Sequence, residues 1–223
     1  GLFPPGFTDG GLAGVNPEYS STLYALGALH VALRAIDQFQ IDEPRAQAWQ
    51  AFRDRLAARY AEARDRDQIT DRFGNAFVPM KMGPNGSSDR PTMAQWAVLE
   101  GVNYSGVYRG DEPIVQSTLS MFDAHRSQGL VRGVGWLEDG LWPWVSMLEG
   151  VTRVHIGDAD EAIRQLYATA NHTNLLGVWV EEQPPLGVSR RNGGDVSSAT
   201  ASALHLGLVR TMLVNERPDT LHL

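Results

Sequence analysis

At 223 residues the chain is long enough to bury one substantial core, and 43% hydrophobic with 20% charged residues is ordinary globular composition. A net charge of -7 without a basic patch argues against nucleic acid as a partner, and the lack of cysteine excludes disulfides and thiolate metal sites. No apolar run approaches the roughly 18 residues of a membrane span, and Gly1-Leu2-Phe3-Pro4-Pro5 carries no charged-then-apolar leader, so the reading is a soluble chain with the cytoplasm favoured.

Taken in order, 18–39 sets Leu23, Leu26, His30, Leu33 and Ile36 at helical spacing. It is apolar nearly all round, which predicts a helix buried on most sides. Segment 44–66 carries Trp49, Phe52, Leu56 and Tyr60 on one face and charge opposite, a surface helix. The connection 67–91 holds Phe73-Gly74-Asn75-Ala76-Phe77, which predicts a short β-hairpin. Apolar 94–108 precedes the more amphipathic 112–128, and 141–156 precedes 159–172 in the same relation. Segment 197–214 reads as another inner helix, and 215–223 as a tail after one domain over 1–214. Long connections (6–17, 67–91, 128–140 and 171–195) alternate with tight turns, so the long loops gather at one end. Connections above roughly 12 residues without regular structure usually carry function. The expected class is all-α, an α/α toroid of helical hairpins. Seven helices fall short of a closed double ring, so the toroid reads as incomplete, its missing N-terminal hairpins supplied by more chain or by a partner subunit.

Three segments carry candidate chemistry. Trp179-Val180-Glu181-Glu182 places two carboxylates beside an indole, suited to a general base with a sugar-stacking platform or to a wet acidic loop with Trp179 plugging the core. Phe7-Thr8-Asp9-Gly10-Gly11 sets a carboxylate beside glycines that permit a tight bend, either in a cleft or in a plain turn. At the next helix start, Glu18-Tyr19 could bind a substrate hydroxyl or favour the helix N-terminus. Trp136-Leu137-Glu138-Asp139-Gly140-Leu141-Trp142-Pro143-Trp144 puts three indoles around an acidic pair, a carbohydrate subsite or core tryptophans behind a charged helix start. The histidines show no H-x-x-x-H pair that would point to zinc.

Read together, the ordered elements Gly6-Phe7-Thr8-Asp9-Gly10-Gly11, Glu18-Tyr19, Asp71-Arg72-Phe73-Gly74-Asn75, Gln95-Trp96-Ala97, Gly135-Trp136, Asp139-Gly140-Leu141-Trp142, Asn171-His172 and Trp179-Val180-Glu181-Glu182-Gln183 resemble the six-hairpin, or (α/α)6-barrel, glycoside hydrolases. The resemblance runs along almost the whole chain. It implies an inverting hydrolase acting on a small or terminal glycosidic unit, with Asp9 as acid and Glu181 as base, Glu182 being the competing base. Trp96, Trp136, Trp142 and Trp179 would wall the sugar pocket, and Glu18, Tyr19, Asp139 and His172 would contact substrate. The mechanism needs no metal or organic cofactor, only a carbohydrate substrate and two carboxyl groups roughly 6.5–9.5 Å apart. The chain departs from the pattern at Gly194-Asp195-Val196-Ser197-Ser198-Ala199, where relatives often carry an aromatic- and histidine-bearing turn. A second reading is a non-catalytic hairpin module that binds a glycan or protein through the long-loop face. A third is a polysaccharide lyase, with Tyr19, Tyr104 and His172 as candidates.

Overall fold

The computed structural model describes residues 2, 4–7, 15–83, 91–93, 95–216 and 221–222. Within them the apolar periodicities become seven helices: α1 (Tyr19–Gln38), α2 (Ala46–Asp67), α3 (Ala97–Glu100), α4 (Pro113–Ala124), α5 (Pro143–Ile156), α6 (Ala159–Ala170) and α7 (Ala199–Leu213). Proline at the first turn starts α4 and α5, where its missing N–H is no loss. Asp158 and Ser198 cap α6 and α7 through side-chain oxygens that accept from Glu161 and Ala201 amides. Gly157, at φ 85°, stops α5 in the left-handed conformation that glycine adopts at least cost.

Among the described residues strand is confined to four two-residue antiparallel hairpins: β1 (Gly6–Phe7) with β2 (Val15–Asn16), β3 (Ile69–Thr70) with β4 (Ala76–Phe77), β5 (Arg126–Ser127) with β6 (Leu130–Val131), and β7 (Asn215–Glu216) with β8 (Leu221–His222). The hairpin expected in 67–91 is present, begun a few residues early. Asp71 organises its turn by accepting from the Phe73 and Asn75 amides at 2.8 and 2.9 Å.

Two helices are shorter than their apolar spans suggest. After Glu100 the chain widens into a π-helical stretch, Gly101–Ser105, which brings the Tyr104 carbonyl to where a Gly27 Cβ would sit, 3.0 Å away. Helix α4 stops at Ala124 because Gln128 and Gly129, at φ 53° and 87°, turn the chain back as the β5–β6 hairpin.

Helix α5 is buried along most of its length and packs against both α6 and α7. The main core joins Tyr19, Leu23, Leu56, Tyr60, Leu99, Leu119, Phe122 and Leu148; a smaller cluster holds Met147, Trp179 and Ala201. Glu149 is fully enclosed within α5 and is met by Arg126 and Arg153. Helix α1 departs from the expectation of burial on most sides. Its all-round apolarity includes an uncovered flank: Val31 is 62% exposed, and Leu206 of α7 is 70% exposed.

Candidate active site

Two of the long connections, 128–140 and 171–195, meet beside the N-terminal ends of α5 and α7, where Leu141 bridges to Arg132 and Gln183 and the Ser198 amide reaches the Trp179 carbonyl. A cleft of about 220 Å³ opens there, lined by Trp142, Trp144, Glu181, Asp195, Ser197, Ser198, Ala199 and Thr200. Its back wall is a strand-like run through Trp179–Gln183, held on both edges by backbone bonds. On one side Leu141 and Gln183 exchange both bonds, at 2.7 and 3.0 Å; on the other, Glu182 and Gly193 do so at 3.1 and 2.8 Å. The Glu181 amide donates to the Asp195 carbonyl and the Ser198 amide to the Trp179 carbonyl, tying the run to the start of α7.

In an extended run neighbouring side chains take opposite faces. Glu181 faces the cleft, and its Oε2 accepts the Asp195 amide at 2.9 Å. Glu182 turns the other way and is fully buried. Its carboxylate accepts the Trp136 amide at 2.8 Å and the Leu137 amide at 3.2 Å. Glycines make that space: a Cβ on Gly135 would lie 2.7 Å from the Glu182 carboxyl, and one on Gly140 2.4 Å from its Oε1.

Trp96, Trp136, Trp142 and Trp144 form one aromatic wall of graded depth. Trp96 is buried and meets Trp142 and Trp144 edge-on, with centroids 5.6 and 5.2 Å away. Trp142 borders the cleft and lies 5.1 Å from Trp136, which is 40% exposed. Trp179 is held in the core, its Nε1 donating to the Thr169 carbonyl and its ring 4.7 Å from that of His205. Aromatic faces of this kind pack against sugar C–H groups, and paired carboxylates bind sugar hydroxyls.

Other expected site residues sit elsewhere. Asp9 lies outside the described residues. Glu18 is nearly buried at the start of α1, its backbone bridged to Lys81. The Tyr19 hydroxyl is in the core between α1 and α2, donating to Asp67 Oδ2 at 2.6 Å and the Ala63 carbonyl at 2.9 Å. Burial and that carboxylate push its pKa well above the usual tyrosine value. His172 is buried at the end of α6, Nδ1 bonded to the Ala168 carbonyl at 2.7 Å. Asp139 stands on the loop before α5, where Arg190 grips it at 2.9 Å. Tyr104 stacks on Tyr24, so Tyr19, Tyr104 and His172 are not gathered at this cleft.

Of the lining, Thr200 was not singled out from sequence, Asp195, Ser197, Ser198 and Ala199 entered only as a departure from the family pattern, and Trp144 entered as the third indole of a candidate subsite but not among the pocket-walling residues. Trp144 had a signal: it follows Trp142 by two positions across the proline that starts α5, so both indoles stand at one helix end. Among the described residues no group of His, Cys, Asp and Glu is placed to hold a metal ion, and no helix is long and apolar enough to cross a membrane.

No family model and no curated protein matches the chain. Solved structures do. A glycosidase variant in complex with glucose superposes with a TM-score of 0.68 at 16% identity, over 94% of this chain and 55% of its own. A metal-independent α-mannosidase from Streptococcus pneumoniae, in complex with α-1,6-mannobiose, gives 0.59 at 16% over 88% and 46%. A bacterial glucoamylase complexed with acarbose gives 0.60 at 16% over 89% and 34%. The chain spans about half the length, or less, of these proteins. The chain therefore shares the helical-hairpin fold of these glycosidases over most of its own length.

Proposed function

We propose that this chain is the later part of a glycoside hydrolase catalytic domain, one helical-hairpin unit over 1–214, that cleaves a small or terminal glycosidic unit with inversion. Glu181 is the general base and Asp9 the general acid. The observation that carries the reading is the placement of the Glu181 carboxylate in a cleft walled by Trp142 and Trp144. Similarity of fold to proteins solved with glucose, mannobiose and acarbose supports the same class of ligand. In this mechanism Glu181 takes a proton from water as that water attacks the anomeric carbon, and the acid protonates the departing oxygen. The uncovered apolar flanks of α1 and α7 are consistent with a ring of hairpins completed by more chain or by a partner subunit.

The test is sugar release from a panel of oligosaccharides and aryl glycosides by the complete gene product, beside a control carrying Asp9→Asn and Glu181→Gln. Release that vanishes in the control supports the reading and identifies the sugar. Release that persists removes both residues from the chemistry. No release from a folded protein, with retained glycan affinity, moves the assignment to a binding module.

A further inference from the structure

The structure assigns Glu182 as a positioning residue that locks the Trp136 loop onto the extended run bearing Glu181. This deepens the glycosidase reading by separating the roles of two adjacent carboxylates. A buried carboxylate needs donors, and here they come from another loop: the Trp136 and Leu137 amides, 46 and 45 positions away in the chain. Three glycines from two loops leave room for it. A Cβ on Gly135, Gly140 or Gly193 would come within 2.7, 2.4 and 3.1 Å of carboxylate atoms, closer than ordinary packing tolerates. Charge-assisted bonds to fixed backbone donors are strong and directional. The loop they hold carries Trp136, which packs on the cleft-lining Trp142. Buried on the face opposite Glu181, Glu182 acts on substrate through this loop.

Hydrogen exchange on the full chain tests the nest directly. In Glu182→Gln the new amide NH2 faces two N–H donors, so exchange of the Trp136 and Leu137 amides accelerates at least about tenfold while α5 amides keep their protection. Gly135→Ala, which leaves the carboxylate but crowds it, reproduces the effect and serves if Glu182→Gln does not fold. Unchanged exchange at Trp136 and Leu137 in Gly135→Ala or Glu182→Gln overturns the nest, and this holds whether or not a sugar substrate is found.

Kinetics then separate positioning from base chemistry. Glu182→Gln keeps the pH limb of the base and loses kcat/KM chiefly through KM, by up to roughly a hundredfold. Added azide restores turnover to Glu181→Ala, attacking the anomeric carbon itself as the glycosidic oxygen departs, and leaves Glu182→Ala unrescued. Rescue of Glu182→Ala, or loss of the base limb in Glu182→Gln, overturns the positioning role. A chain that hydrolyses nothing but still shows the exchange effect overturns the hydrolase reading and leaves the nest standing.

Discussion

Glu181 and Glu182 are neighbours in the chain and opposites in environment: one faces an open cleft and accepts the Asp195 amide, the other is sealed behind it on the Trp136 and Leu137 amides. For Glu181→Gln the expected outcome is a loss of kcat of about 10²–10⁴-fold, the range spanned by general acid–base catalysis. Thermal stability stays nearly constant, because Gln retains a carbonyl oxygen for the Asp195 amide. Single-turnover kinetics beside a melting curve check both halves.

Gly194 is the second handle on Glu181. It sits at φ 65°, and a Cβ there would lie 2.0 Å from Glu181 Oε2. Gly194→Ala therefore displaces the carboxylate, lowering kcat, and adds about 1–2 kcal/mol of left-handed backbone strain. Activity and urea denaturation measured on one preparation separate these effects.

Glu149 supports the fold away from the cleft. It is fully buried and joined to Arg126 and Arg153, which also reach the half-exposed Asp123. Glu149→Ala leaves two largely buried guanidinium groups without their shared buried carboxylate and costs about 3–5 kcal/mol. Removing the more exposed charge in Asp123→Asn costs less. Denaturant midpoints of the two variants give the order.

Acid weakens the fold through three partly buried imidazoles. Burial lowers the His205 pKa below its ordinary 6.5, and burial is also the leading cause for His30 and His125. Each native imidazole takes its proton at a lower pH than the unfolded chain does, so the unfolded state binds more protons between those two values. Stability is fully present above about pH 6.5 and falls as pH drops through that window. The melting temperature is expected to fall between about pH 7.5 and 5, and His205→Phe, which keeps the contact with Trp179, shows a smaller fall.

Much of the hairpin rhythm was legible because apolar periodicity and tight turns are local properties. Pro113, Pro143, Asp158 and Ser198 mark helix starts by rules that operate within one turn. The π-helical widening after Glu100 was not legible, since it packs against Gly27 of the distant α1. The opposite facings of Glu181 and Glu182 were not fixed either. An adjacent pair establishes that two carboxylates alternate, but the partners that seal one of them, Gly135, Gly140 and Gly193, come from distant loops. Nor did the small-residue segment at Ser197-Ser198-Ala199 advertise itself, because its part in the cleft depends on where α7 begins.

The aromatic wall has an optical consequence. Trp96, Trp136, Trp142 and Trp144 are four of the six tryptophans in the chain, linked by centroid separations of 5.1 to 5.8 Å at interplanar angles from 33° to 82°. Indole transition dipoles so close and so skewed mix into delocalised excited states of opposite rotational strength. The cleft wall therefore writes its own geometry into the near-ultraviolet circular dichroism, and a sugar settling against Trp142 would rewrite it without any label.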